Sequence, residues 1–392
     1  MKKIIRFEPY WDKWIFMHNG ELRIIEGDIP AVDDVELFLV KNKTNPVNGL
    51  SFPALVQIQF TNRCNLACPH CYVSSGIASK EEMSDSQIQN LLLQLREVGV
   101  LEIQWSGGEV FSRKGFLEMV QYSNSLGFEN SVLTNGYAIG KLPDKFPPEL
   151  LWSLFTRFQI SMDGFEDHFN EWVGTSSSAG IGDAWKNVTT GIMRLYDYLV
   201  DSKLLDIKKL SVTTTLDSKN IVDLPKIASL LSGKDIQWKL AKQIENGRSA
   251  MSDKNAFSVL NATYPIIQNL REQYDIRVVH PFDKQLWVEG MLPVEWQTEV
   301  GARWSMYVSA NGDIYPFPYF DGVKEMNPGN ILSMSTHEIW YSQIFDLYRG
   351  ATRKNTGCSN CQYICQMWAR SFNYFTTRDI LTPVPHHVNC PK

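Results

Sequence analysis

The sequence predicts an α/β fold in which a run of parallel strands alternating with helices is followed by a smaller region of different texture. Three observations lead there. Six short strand-like runs alternate with helical periodicities between about residues 55 and 242. The alternation stops near residue 250. The seven cysteines are segregated, three at positions 64, 68 and 71 and four at 358, 361, 365 and 390. The expected organisation is a hairpin region over 1–50 that serves peptide binding, an α/β core over 51–250, and a cysteine-bearing region over 251–392. Six units are fewer than the eight of a closed barrel, so the core is expected as a partial barrel or an open sheet.

The elements follow in chain order. Trp14-Ile-Phe-Met17 and Leu22-Arg-Ile-Ile25, split by Asn19-Gly20, read as a hairpin. The first core strand is expected over 55–60. A helix starts at Ser84, with Asp85 and Gln87 in its first turn and Ile88, Leu91, Leu92 and Leu95 at helical spacing. Strands are expected over 101–105, 131–134, 158–162, 210–216 and 236–240. Helices are expected over 116–122, 148–155, 182–200 and 224–231 between them. Beyond 250 come a helix over 255–273, a hairpin of 303–308 and 313–317 around Asn311-Gly312, and a helix over 336–347.

Composition narrows the function. A 392-residue chain that is 44% hydrophobic and 21% charged has a large core, which excludes intrinsic disorder for most of it. A net charge of −5 offers no basic footprint for nucleic acid. No apolar run approaches the ~18 residues of a membrane span, and the N-terminus lacks the features of a secretory signal. The expected location is cytoplasmic, where thiols stay reduced. Seven cysteines there point to metal or cluster ligation rather than to disulfides.

Cys64, Cys68 and Cys71 form a Cys-x3-Cys-x2-Cys run directly after the first strand, where α/β folds place their sites. Three thiolates on a four-iron cluster leave one iron open to a ligand. The competing reading is a zinc site with His70 as fourth ligand. Cys358, Cys361, Cys365 and Cys390 are four ligands, enough to close a cluster or a structural zinc site.

Phe60-Thr-Asn-Arg-Cys-Asn-Leu-Ala-Cys-Pro-His-Cys-Tyr72 resembles the cluster loop of the radical SAM superfamily. There the open iron chelates S-adenosylmethionine, whose reductive cleavage releases a 5′-deoxyadenosyl radical. The resemblance spans about residues 55–250 and implies a partial (β/α)6 TIM-type barrel. It also implies a [4Fe–4S] cluster on Cys64, Cys68 and Cys71. Trp105-Ser106-Gly107-Gly108-Glu109-Val110 looks like the family's Gly-Gly-Glu-Pro turn, with Val110 in place of Pro. In such a turn glycines admit close backbone approach and Glu109 accepts from the methionine ammonium. Tyr72, Ser106, Asn135 and Ser161 are carried over as cofactor contacts. So is Arg248, in a Gly-Arg pair that in relatives follows the sixth strand and contacts cofactor or substrate. The family's Arg-Gly after the fourth strand is replaced by Glu171-Trp-Val-Gly174, so that cation is absent or supplied elsewhere.

The last region resembles a SPASM domain. Phe317, Val300 and Ala369 stand near positions where ligands of a first auxiliary cluster belong. The resemblance therefore implies one auxiliary [4Fe–4S] cluster, held by Cys358, Cys361, Cys365 and Cys390. SPASM enzymes commonly modify ribosomal peptides, and the reduced cysteine set looks similar to Xye-type and darobactin-type maturases, which form cyclophane crosslinks. The implied partners are a precursor peptide and a reductant such as flavodoxin or ferredoxin. The implied chemistry needs a base, and Asp163, Lys242 and Glu245 lie at or after strand ends. The alternatives are a radical SAM dehydrogenase or epimerase acting on a small molecule such as a sugar, and a zinc-stabilised binding protein.

Overall fold

A computed structural model describes residues 3–9, 12–18, 21–25, 35–40, 46, 49–79, 81–174, 183–206, 209–251, 256–281, 283 and 301–350. The C-terminal cysteines Cys358, Cys361, Cys365 and Cys390 lie outside the described residues, as do Val300 and Ala369.

The N-terminal part forms a four-stranded sheet. Its strands are β1 (Lys3–Glu8), β2 (Lys13–His18), β3 (Glu21–Ile25) and β4 (Val35–Leu39), in the order β3-β2-β1-β4. The expected hairpin is present as β2 and β3, with His18 opposite Glu21. The expectation of a hairpin alone is corrected: β1 pairs with β2, and β4 joins β1 in parallel. Arg6 and Glu8 in β1 are fully buried and ion-paired at 2.6 Å. The Arg6 guanidinium donates to the carbonyls of Phe52, Pro53 and Gly99, and Glu8 accepts from Ser51. These bonds fasten the small sheet to the core.

Among the described residues the core is a nine-stranded sheet. Strands β5 (Leu55–Gln59), β6 (Glu102–Ser106), β7 (Glu129–Thr134), β8 (Arg157–Ser161), β9 (Leu210–Leu216) and β10 (Gln237–Lys242) are neighbours in chain order, all parallel. β11 (Arg277–Val279) extends the β10 edge in parallel. β12 (Ser305–Val308) pairs in parallel with β5, and β13 (Ile314–Tyr315) pairs antiparallel with β12.

A right-handed crossover repeated in one direction lays every helix on the same face of the sheet. The period-2 alternation agrees. Val56, Ile58, Ile103, Trp105, Val132, Phe158, Val212 and Trp238 are buried in one core with helical Ile88, Leu91 and Leu195. The opposite face carries Gln57, Glu102, Gln104, Ser131, Arg157, Gln159, Thr213 and Lys239. The sheet is thus apolar outward, under its helices, and polar on its inner face. That is the architecture expected of a partial barrel.

Local chemistry fixes the elements. Ser84 caps helix 85–97 in a reciprocal capping box with Gln87. The helix expected over 336–347 is two: Thr336–Trp340, boxed by Ser335 and Glu338, and Gln343–Gly350. The Ser342 hydroxyl accepts from the Phe345 N–H and starts the second turn, so the chain breaks between them. Among the described residues no helix is long and apolar enough to cross a membrane.

Helix Tyr137–Lys141, after β7, crosses helix Ala184–Asp201 through Gly140 and Gly191. A Cβ on Gly140 would run into the carbonyl of Asn187. Gly140→Ala is therefore expected to lower stability by ~1–3 kcal/mol, read as a lowered urea midpoint at unchanged slope.

Candidate active site

The carboxyl ends of β5 to β10 carry the site. Residues 61–76 leave β5 without helix or strand structure, joined only by an isolated bridge between Arg63 and Gly76. Their backbone is satisfied partly within the loop, as by Cys64 N–H on Gly76 O, and partly from outside. Gly108 N–H donates to Thr61 O at 2.8 Å and Glu109 N–H to Arg63 O at 2.8 Å. Glu82 accepts from the Asn62 N–H and the Thr61 hydroxyl. Arg113 donates to the carbonyls of Phe60 and Met83. A Cβ on Gly108 would stand 2.5 Å from Arg63 O, so only glycine lets the β6 turn lie this close.

Cys64, Cys68 and Cys71 are half-buried on this loop. Leu66 N–H points at Cys64 Sγ at 3.4 Å, and Ser75 N–H at Cys71 Sγ at 3.4 Å. Burial pushes the Cys64 thiol up to about 12, with Glu109 and Cys71 adding to it. Burial, then Asp163, also raises the Cys68 thiol. Ligation by iron removes those protons, because a bound cation outweighs the desolvation cost of a thiolate. N–H donors aimed at the sulfurs are what a thiolate-held cluster uses, so the residues present fit a cluster. Among the described residues no three His, Cys, Asp or Glu side chains converge as a single metal ion requires. His70 Nε2 pairs instead with Asp163 at 3.1 Å, and its ring stacks on Trp172.

The remaining residues named from the sequence fall as follows. Glu109 is buried, and burial raises its carboxyl. Its oxygens accept from Phe111 N–H, Thr134 Oγ1 and Asn135 N–H, at 3.2, 2.8 and 2.7 Å. Its oxygens tie the ends of β6 and β7 together. Asn135 Nδ2 donates to Asn65 Oδ1 and lies 3.9 Å from Cys64 Sγ. Ser161 ends β8 with its side chain exposed. Ser106 accepts from Gln57 inside the sheet. Tyr72 follows Cys71, bonds Gln57 and meets the Tyr319 ring edge-on at 5.3 Å. Phe317 packs on Tyr319.

Arg248 was expected on cofactor or substrate. In the structure its Nε donates to Cys68 O, its Nη1 to Ser75 O and its N–H to Cys71 O. It clamps the cysteine loop from β10's side. Asp163 is buried between His70 and the Thr215 N–H, 2.6 Å away. Lys242 closes β10 and Glu245 follows it, both half-buried. Trp172, in the run Glu171–Gly174, has Lys219 over its ring at 5.5 Å. Sequence reasoning missed Asn65, Arg113 and Glu82. All three act through partners distant in sequence, which local patterns do not display.

A partial barrel with a three-thiol loop at the carboxyl edge of its strands, closed by a Gly-Gly-Glu turn, defines an iron–sulfur enzyme site. Residues 58–193 match the radical SAM superfamily, and residues 301–362 match SPASM, an iron–sulfur cluster-binding domain. The chain thus carries a radical SAM domain followed by a SPASM domain, whose cofactors are S-adenosylmethionine and [4Fe–4S] clusters, auxiliary ones included. Mycofactocin maturase MftC of Mycolicibacterium smegmatis is 25% identical over 354 residues, covering 87% of this chain and 84% of its own. PqqA peptide cyclase of Xanthomonas axonopodis pv. citri is 25% identical over 322 residues, 79% of this chain and 80% of its own. Streptococcus suis SuiB bound to S-adenosylmethionine shares the fold, with a TM-score of 0.62 at 17% identity over 88% of this chain and 79% of its own.

Removing the clamp leaves the loop carbonyls of Cys68 and Ser75 without their donor. Arg248→Met is expected to weaken cluster retention by ~10–100-fold, read as iron remaining per chain after a chelator challenge.

Proposed function

We propose that this protein is a radical SAM peptide maturase that installs a side-chain crosslink in a ribosomally made precursor peptide. The crosslink is a cyclophane-type carbon–carbon bond or an ether. One observation carries the reading: three half-buried thiols, with N–H donors on two sulfurs, at the edge of a polar inner face. The similarity to two peptide maturases along most of the chain supports it.

Cys64, Cys68 and Cys71 hold the catalytic cluster. Once bound, cluster and S-adenosylmethionine supply a 5′-deoxyadenosyl radical, a hydrogen-atom acceptor. The chain's own part is to bind and orient. Glu109 and the β6 glycines fix the wall beside the loop, and Asn135 and the exposed Ser161 offer polar contacts to the cofactor. The polar inner face offers a peptide backbone hydrogen-bond partners that an apolar lining would deny it. Cys358, Cys361, Cys365 and Cys390 hold one auxiliary [4Fe–4S] cluster. A flavodoxin or ferredoxin serves as reductant.

Protein purified without oxygen is expected to carry about eight irons, as two [4Fe–4S] clusters require. With dithionite and S-adenosylmethionine it forms 5′-deoxyadenosine, and the Cys64→Ala, Cys68→Ala, Cys71→Ala triple variant forms none. Co-expression with the peptide encoded by a short reading frame beside the gene yields that peptide lacking two hydrogens. 5′-Deoxyadenosine without any change in the peptide's mass, alongside oxidation of a sugar, would refute the peptide reading.

A further inference from the structure

A carboxylate that no motif singled out sits where the β13 side of the sheet meets the β10 side. Asn246, just beyond β10, donates its side-chain N–H groups to the carbonyls of Tyr319 and Asp321, both 2.9 Å away, in the segment that follows β13. The same exit from β10 holds the cysteine loop. A Cβ on Gly247 would run into the carbonyl of Tyr72, and Arg248 clamps Cys68, Cys71 and Ser75. The Tyr319 ring meets Tyr72 edge-on at 5.3 Å. Asp321 therefore lies beside the exit of the cysteine loop, at the carboxyl edge of the sheet. Tyr307 of β12, in register with Gln57 on the inner face, reaches up to it. Its hydroxyl is 3.0 Å from Asp321 Oδ2 and 3.1 Å from Oε1 of Gln59, the last residue of β5.

We infer that Asp321 is the catalytic base of the maturation reaction, its carboxylate taking the proton the peptide gives up. The inference rests on the peptide-maturase reading. In the carbon–carbon case, a side-chain carbon of the peptide has already lost a hydrogen atom to the 5′-deoxyadenosyl radical. It bonds to an aromatic ring carbon. That ring carbon then loses its proton to Asp321 and one electron to an oxidised iron–sulfur cluster, and the ring regains aromaticity. The two hydrogens lost and the one bond gained balance.

The surroundings provide for both protonation states. The Tyr307 hydroxyl has one hydrogen and two acceptors in reach. With Asp321 ionised, that hydrogen goes to Asp321 Oδ2. With Asp321 protonated, the acid donates to the Tyr307 oxygen and the hydroxyl turns to Gln59 Oε1, which also holds the Ala310 N–H at 3.0 Å. The proton thus arrives without leaving a buried oxygen unpaired. Burial pushes the Asp321 carboxyl up to about 6; the Tyr307 hydroxyl and the Gly322 N–H work against the rise, and Asp313 adds to it. The groups facing it are Tyr307 of β12, Asp313 and Tyr315 of the β13 hairpin, and Tyr72 of the cysteine loop. None of these is a cation, and burial raises all three tyrosines, which stay neutral. Asp163 is sealed in by His70 and the Thr215 N–H, whereas Asp321 is half-buried and keeps part of its surface exposed.

The test uses the full holoenzyme and the peptide encoded beside the gene, with deuterium on its side-chain carbons. Deuterium in 5′-deoxyadenosine reports hydrogen abstraction, and crosslinked product per 5′-deoxyadenosine reports the steps after it. In Asp321→Asn abstraction is expected to persist while the product ratio falls by ~10²-fold or more. Asp321→Glu keeps a carboxylate and restores part of the ratio. In the wild type the ratio rises with pH through about 6, as the carboxyl loses its proton. Tyr307→Phe removes a donor that favours the carboxylate, so the same rise moves to higher pH. Melting curves and iron content identify a variant that fails to fold; if that is Asp321→Asn, the Tyr307→Phe profile carries the test. A wild-type ratio in Asp321→Asn, deuterium transfer lost together with product in the folded variant, or an unmoved profile in Tyr307→Phe would overturn the base assignment alone. A wild type that modifies no peptide would overturn the maturase reading and the base with it.

Discussion

Residues 61–76 have almost no structure of their own, and everything else at the site depends on how they are held. A loop that carries three ligands must present them in one arrangement, yet it contributes neither a helix nor a strand ladder to satisfy its backbone. The solution is to borrow partners from the ends of neighbouring strands. The β6 turn contributes two N–H groups, Arg113 and Glu82 brace the start, and Arg248 donates to three loop carbonyls at the far side. Because the donors come from β6 and β10, the loop is referenced to strands far apart in the sheet. The same logic places Glu109: a carboxylate that accepts two backbone N–H groups and a hydroxyl acts as a rivet between β6 and β7.

The pattern of the sheet serves the site in a second way. Parallel strands covered on both faces read as continuous apolar runs. Here each strand alternates, because helices cover only one face. The polar inner face is costly to leave unpaired, and the structure pairs it across strands: Gln57 with Ser106, Ser131 and Arg157 with Glu102, Lys239 with Gln159. Such a lining gives the site hydrogen-bonding capacity without the apolar collapse that would close it.

Much of this was legible in the sequence. The six strands stand where alternation and flanking turns put them, shifted by a residue or two, and the Ser84 cap is where its first turn predicts. The cysteine loop is legible because ligand spacing is local, and the Gly-Gly-Glu turn through its resemblance to the radical SAM motif. What escaped was non-local. β1 carries Arg6 and Glu8 at core positions, which breaks its apolar rhythm, and their partners are 43 to 93 residues away. Arg248 reaches back 173 and 180 residues to its carbonyls, so its structural role has no signature in the Gly-Arg pair. His70 reads as a metal ligand by its place between two cysteines, but its ring turns to Asp163 and Trp172, which only the folded chain brings near.

The central claim is that the three thiols hold a cluster with one iron left open for S-adenosylmethionine. Low-temperature electron paramagnetic resonance of the dithionite-reduced protein addresses it most directly. The account predicts a reduced [4Fe–4S] signal whose g values shift when S-adenosylmethionine is added, and whose shifting component is lost in Cys68→Ala. A reduced spectrum that S-adenosylmethionine leaves unchanged, or a protein holding zinc and no sulfide, would contradict it.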